Sequence, residues 1–282
     1  MISFYKLFLR ISWLLISRLN IKVKGIGVFS DWIKTEFDFT FQKSAFKFIP
    51  FASRSYGLLP AGIANEPEAH IFLENLLDFC KPVSFVDVGA SIGEFAITMA
   101  DDYRVEKVYA FEPHPKTFKA LSASAKRLGN KIKLYEAAVG DAVGYLEFSA
   151  SETSPTGAGL SSSHPAPRVR VRSCKIDDTL KAIGHLPIVM LFDIEGGKLN
   201  AMRGGVEFIA ERQPLIIFEY NLTSKKCFSL DQIRLLLTGY KFFRLQSRTG
   251  KLDKNLEDTW NIVAIPSRGN WCKLNEQKNF FA

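Results

Sequence analysis

The sequence predicts an α/β fold: a Rossmann-like, doubly wound, mostly parallel sheet with an antiparallel hairpin insertion. Three observations carry that prediction. Short apolar runs alternate with helix-spaced segments from residue 65 onward, which makes parallel strands joined by crossover helices. The chain has 282 residues, 47% hydrophobic and 23% charged, a globular composition long enough to bury a large core. Acids and glycines cluster where the candidate strands end, in "FVDVGA", "AFEP", "LFDIEGG" and "LIIFEY", and open α/β sheets bind their ligands at such ends.

Residues 1–24 read as a basic amphipathic segment and 25–282 as a single domain. Within that domain, strands and a helix occupy 25–80, a core carrying the candidate site 81–220, and further strands and a helix 221–282. In "MISFYKLFLRISWLLISRLN" the apolar runs are broken by Lys6, Arg10 and Arg18, so the segment falls short of the ~20 apolar residues that span a bilayer. No small-residue cleavage site follows it. On a helix, Ser3, Lys6, Arg10 and Ser17 gather on one side, with Leu7, Phe8, Ile11, Leu14 and Leu15 largely opposite. Such a helix either lies in a membrane interface or packs on the protein's own core.

Between 21 and 60, "IKVKGIGVF" and "FDFTFQ" alternate apolar and polar residues, predicting short strands. "NEPEAHIFLENLLDFC" has helical spacing, with Asn65 as a cap and Pro67 in the first turn. "SFVDVG" is a strand with a helix from about Gly93, "KVYAFEP" a strand with a helix over "PKTFKALSASAKRL", and "IKLYEAAV" a third strand. "YLEFSA" and "RVRVRS" make the antiparallel insertion, joined by the loop "SETSPTGAGLSSSHPAP". "PIVMLFDIEGG", a helix through "KLNAMRGGVEFIAER" and the strand "PLIIFEY" resume the alternation. A helix over "SLDQIRLLLTGY" and the strands "KFFRLQ" and "WNIVAIP" follow.

Gly89-Ala90-Ser91-Ile92-Gly93 is a literal G-x-S-x-G, the nucleophile elbow of a class of hydrolases. Those enzymes place a histidine late in the chain, yet His70, His114, His164 and His185 all precede the last third, which removes that chemistry. The turn instead suits a ligand-binding loop, whose small residues let backbone N–H groups approach a cofactor. The spacing is not G-x-G-x-x-G, and Asp87 beside the loop would repel a pyrophosphate, so a nicotinamide or nucleotide-sugar cofactor is disfavoured. A cationic sulfonium would accept such a carboxylate. Glu112 follows at the end of the second strand, where an acid can accept hydrogen bonds from ribose hydroxyls. S-adenosylmethionine has both features.

With these pieces in order, the chain resembles the FkbM-type methyltransferases. "FVDVGASIGEFA" resembles their first motif, usually with Asn where Ser91 stands, and "VYAFEPHP" their second. "YEAAVGD" resembles a third-strand motif that often has Asn where Glu136 stands. "VRVRSCKIDDTL", "LFDIEGGKLNAMRGG" with its D-x-E-G signature, and "PLIIFEY" complete the set. The resemblance covers residues 60–220 and implies a class I methyltransferase sheet that uses S-adenosylmethionine. Two positions depart from it: Leu191 stands where the family often has Lys, and Lys198 where it often has an acid.

The expected cofactor site is Asp87, Gly89, Ala90, Ser91, Gly93, Glu112 and Glu136. Asp193 and Glu195, at the end of a central strand, are the expected catalytic pair, although helix capping or helix-end electrostatics would also explain them. Glu219 is a further candidate. No metal site is expected. Cys80, Cys174, Cys227 and Cys272 lack zinc-ligand spacing and suit a reducing compartment.

The resemblance implies an enzyme methylating a hydroxyl on a sugar, glycolipid, polysaccharide or secondary metabolite. A non-catalytic binding module of the same fold is the alternative. Charge is uneven, with nine Lys/Arg against three Asp/Glu in residues 1–60, 17 against 21 in 61–220, and 11 against five in 221–282. Basic ends suit an acidic surface. The expected partners are a small-molecule or glycan acceptor and, through residues 1–20, the inner face of a membrane, in an otherwise cytoplasmic protein. No nucleic acid is expected, since no recognition motif is present.

Overall fold

The computed structural model describes residues 1–19, 26–151, 154–159, 168–257 and 260–282. Helices α1 (Ile2–Leu19) and α2 (Ile26–Ser30) come first, followed by the hairpin β1 (Phe37–Phe41) and β2 (Ser44–Phe48). Residues 26–30 are helical where alternation predicted a strand: Ile26 and Phe29 pack against the core, and the Ser30 hydroxyl donates to the Gly27 carbonyl. The "FDFTF" strand forms as expected.

Helix α3 (Pro67–Phe79) has Glu66 rather than Asn65 at its N-cap, with no side-chain cap bond. Asn65 is engaged elsewhere: its Oδ1 accepts from the Leu58 amide at 3.1 Å and its Nδ2 donates to Glu94 at 2.7 Å. Then come β3 (Val83–Val88), α4 (Glu94–Asp101), β4 (Val105–Phe111), α5 (Pro115–Ala125) and β5 (Ile132–Tyr135). The predicted third strand breaks after Tyr135. Its tail forms β6 (Ala138–Val139), which leaves the main sheet and pairs in a smaller one.

That smaller sheet also holds β7 (Gly144–Ser151), β8 (Ser154–Gly159) and β9 (Arg168–Cys174), in the order β6-β9-β7-β8. β7 and β9 are the antiparallel pair foreseen from the sequence. Part of the expected loop is itself a strand, β8, paired antiparallel to β7. His164 lies outside the described residues.

After the short α6 (Ile176–Thr179) and β10 (Ile188–Phe192), the expected long helix is two: α7 (Lys198–Arg203) and α8 (Val206–Arg212). Gly204-Gly205 divides them because the backbones crowd there. A Cβ on Gly204 would lie 1.8 Å from the Gly140 carbonyl oxygen. β11 (Leu215–Glu219), α9 (Leu222–Cys227), α10 (Leu230–Leu236), β12 (Tyr240–Leu245), β13 (Leu252–Asp253) and β14 (Asn261–Pro266) follow. α10 opens with a Ser229/Gln232 capping box, which satisfies helix-end amides.

The main sheet runs β13-β12-β14-β11-β10-β3-β4-β5. Its five strands from β11 to β5 are parallel, and β14 inserts antiparallel between β11 and β12. β3 leads outward through β4 to β5, and β10 outward the other way to β11, so strand order reverses between β3 and β10. A ligand crevice opens at such a switch point. Both faces are covered, as a doubly wound sheet requires. Phe85 and Leu191 pack with Leu73 of α3 and Ile97 of α4 on one side, while Val86, Met190 and Phe218 pack with Met202, Ile209 and Ile233 on the other.

Candidate functional site

A cavity of about 740 Å³ opens at the carboxyl ends of β3, β4, β10 and β11, and a second chamber of about 270 Å³ adjoins it. Gly89, Ser91, Asn65, Glu66 and Asp193 border both. Gly89 is required here: its φ is +95°, and a Cβ would sit 2.2 Å from the Asp193 carbonyl oxygen. The ends of β3 and β10 are also bonded directly, Asp193 N donating to Val88 O at 2.9 Å.

The turn after β3 does not offer its amides to a ligand. Gly89 N and Ala90 N both donate to the Phe111 carbonyl at 2.9 Å, Gly93 N to Ala90 O at 2.8 Å, and Ser91 N to Glu112 Oε2 at 2.8 Å. The expectation of free N–H groups in this loop is thus corrected, because β4 and its following acid consume them. Ser91 is left-handed, with φ +50°, a conformation Asn tolerates better than most residues, and its buried Oγ has no partner. Gly93, with φ +96°, packs: a Cβ there would meet Leu121 at 2.6 Å and Ile97 at 2.8 Å.

Glu112 is buried and heavily bonded. Besides the Ser91 amide, it accepts from His114 N at 2.8 Å and Thr117 Oγ1 at 2.7 Å, both on Oε1. A carboxylate has about four acceptor positions, so roughly one remains, on Oε2. Burial raises its pKa, opposed by these three bonds. Asp87 is buried with Oδ2 unpartnered, and burial, then the nearby Asp193, hold its pKa well above the usual carboxylate range. Leu191 is its register partner across β10, so no cation stands there. Ala90 and Asp87 border the smaller chamber.

Glu136 is not brought to the site. It is exposed, while the next residues, Ala137, Ala138 and Val139, turn into the cavity wall as the chain leaves β5 for β6. The sequence placed the acid one step from the position that faces inward.

Across the crevice, Asp193, Glu195 and Glu219 line the cavity together. Asp193 is exposed to the open cavity, with protein packed around it. That enclosure, then Glu219, pushes its pKa up to about 7, with Lys198 opposing and Glu195 and Glu94 adding. Burial, then Glu219, also raises Glu195, again against Lys198. Lys198 is wholly buried. Its Nζ donates to Ile194 O at 3.0 Å, lies 3.3 Å from Glu219 Oε2 and 3.5 Å from Ser224 Oγ. The lysine noted as a departure from the resemblance is therefore the cation behind the acidic wall.

Two acids of the site had no signal of their own in the sequence. Glu66 faces the cavity and accepts from Asn261 Nδ2 at 2.9 Å; burial and Asp193 raise its pKa far above normal. Glu94 accepts from the Asn65 amide and pairs with His70 Nε2, each at 3.0 Å, tying α4 to α3. Both depend on contacts between distant segments. Among the described residues, no cluster of His, Cys, Asp and Glu has the arrangement of a metal site. The described lining of the large cavity includes six carboxylates and no lysine or arginine. Trp260, 54% exposed, stands at its rim.

The family model described as "Methyltransferase FkbM domain" matches residues 87–243. Among solved structures, a methyltransferase FkbM from Methylobacillus flagellatus KT is 18% identical with a TM-score of 0.49, covering 77% of this chain and 55% of that one. This chain thus spans about half the length of that protein. An rRNA methylase from Streptococcus thermophilus is 13% identical, TM-score 0.40, with 72% and 96% covered. TYW2 from M. jannaschii, in complex with AdoMet, is 13% identical, TM-score 0.41, with 82% and 84% covered. No curated protein matches the chain.

Proposed function

The chain belongs to the FkbM methyltransferase family, and on that premise we propose that it transfers a methyl group from S-adenosylmethionine to a hydroxyl of a sugar-bearing acceptor. The observation that carries the reading is the wall of the large cavity, whose described lining holds six carboxylates and no lysine or arginine. Such a wall attracts a cationic ligand and repels a pyrophosphate, and the neighbouring turn has spent its amides internally. The residues present fit S-adenosylmethionine. Asp87 Oδ2 and Ser91 Oγ are buried and unpartnered, and Glu112 Oε2 retains one acceptor position for a ribose hydroxyl.

When bound, the sulfonium supplies an electrophilic methyl carbon. That carbon would be delivered to the acceptor's oxygen with the sulfur as leaving group, and Asp193 would take the hydroxyl proton. A base poised near neutrality suits that task, worth about 10²–10⁴-fold. Glu195 and Glu219 keep Asp193 basic, and the buried Lys198 ammonium opposes them. Holding the acceptor in line supplies most of the remaining acceleration, up to roughly 7–11 kcal/mol in well-aligned systems. Trp260 offers an apolar platform at the rim, and the carboxylates can accept from several hydroxyls at once, which together suit a sugar ring.

Calorimetric titration with S-adenosylhomocysteine, followed by transfer of labelled methyl to a panel of neutral glycans and glycolipids, tests the proposal. Micromolar binding with transfer abolished in Asp193→Asn is expected. A folded protein that binds no S-adenosylhomocysteine would overturn it.

A further inference from the structure

Helix α1 has three sides rather than two. Tyr5, Leu9 and Ser12 are buried against the molecule, Tyr5 meeting Phe48 edge-on at 5.9 Å. Ser3, Lys6, Arg10 and Ser17 form a polar stripe, anchored by Arg10 Nε donating to Ala61 O at 3.4 Å. The third side, Phe4, Leu7, Ile11 and Leu14, recurs at helical spacing and is exposed. Helix α2 extends it. Phe29 lies between Phe4 at 5.9 Å and Trp32 at 5.4 Å, each ring tilted against it, and both flanking rings are open to solvent, at 63% and 65%. Val28 is exposed beside them. Packing on the core and presenting an apolar face are therefore not alternatives for this segment.

Charge identifies the occupant. Residues 1–30 contain five Lys/Arg and no Asp or Glu. The first acid, Asp31, is bound by Ser53 and Arg54, so its charge is internally matched. The charged residues of the two helices themselves are Lys6, Arg10 and Arg18, and the nearby Glu36 and Asp38 are paired to Lys47. A continuous apolar face with aromatic rings on such helices complements an anionic bilayer surface, where rings sit at headgroup depth and lysines and arginines meet lipid phosphate. No helix among the described residues is long and apolar enough to cross a membrane. We infer that α1 and α2 form a docking face that lays the protein on an anionic lipid surface. The face reaches the site through one pair: the Arg54 that holds Asp31 borders the smaller chamber.

Flotation of the full chain with phosphatidylcholine vesicles, and with an equal mixture of phosphatidylcholine and phosphatidylglycerol, tests this. Co-flotation with the mixed vesicles alone, weakened by salt, is expected. Leu7→Glu combined with Ile11→Glu should reduce partitioning by at least about tenfold, since each charge must enter the interface. Both side chains face solvent, so the melting temperature and S-adenosylhomocysteine affinity should stay at the wild-type values, separating this inference from the catalytic one. Equal flotation of variant and wild type, equal binding to neutral vesicles, or no flotation would each overturn it. So would a dimer in sedimentation that the same substitutions dissociate, because the face would then belong to a second copy.

Discussion

The two walls of the cavity are built on opposite plans. On the β3–β4 side, the amides of Gly89, Ala90, Ser91 and Gly93 are bonded, and Glu112 holds three partners. On the β10–β11 side, three carboxylates face one another with a single buried ammonium behind them. The first wall is held in shape by the bonds of its turn amides and of Glu112, which leave Asp87 Oδ2 and Ser91 Oγ without partners. The second stays reactive because its charges are not fully matched. The methyl transfer proposed above would draw on both, a fixed donor pocket and a base poised near neutrality.

The sharpest way to break this contrast is Asp193→Asn. Loss of about 10²–10⁴ in kcat with the S-adenosylhomocysteine Kd unchanged is expected, because the base lies on the reactive wall only. An equal loss in both would merge the two walls into one function. Next comes Gly89→Ala. Left-handed backbone and contact with the Asp193 carbonyl should destabilise the protein by about 1–3 kcal/mol, read as a lowered Tm in thermal unfolding.

Glu112→Gln should weaken S-adenosylhomocysteine about tenfold, on the order of 1.4 kcal/mol by calorimetry. The amide retains one acceptor oxygen for the partners that now share two, so the turn should stay folded.

The smallest effects are the most diagnostic. The catalytic base must be deprotonated, so kcat/KM should rise with pH through an apparent pKa of about 7. Lys198→Met removes the charge that favours ionised Asp193 and should move that limb to higher pH. Glu219→Gln removes a like charge and should move it lower. The apparent value belongs to the cluster, so shifts of opposite sign, rather than their absolute positions, decide the point.

Strand-end acids and the parallel sheet were legible because they follow local patterns: apolar runs, small turn residues, and acids at run ends. What escaped is non-local. "IKLYEAAV" looks continuous, yet only Ile132–Tyr135 joins the main sheet, because Ala138 and Val139 pair with β9, some thirty-five residues away in register at Ser173 and Cys174. Asn65 looks like a cap but bonds Glu94 across the fold. Glu66 and Lys198 become site residues only when β14 and β11 arrive beside them. The spent amides of Gly89, Ala90 and Ser91 were equally hidden, since their acceptors are the Phe111 carbonyl at the end of β4 and the Glu112 carboxylate just after it. A sequence pattern finds the groups that approach a ligand; it does not show which are already engaged.

The late insertion of β14 bears on synthesis order. β3, β4, β5, β10 and β11 can align while the chain is still emerging from a ribosome. The edge of β11 then waits for a strand over forty residues downstream, and β12 has no neighbour on that side until it comes. β14 also delivers Asn261 to Glu66, and Trp271 just beyond it bonds the Ile188 carbonyl at the opposite end of β10. The Glu66 side of the cavity is thus completed only after β14 has been made. A translating ribosome carries a half-sheet with an open edge, and shielding that edge is what a cell must do to harvest the protein intact.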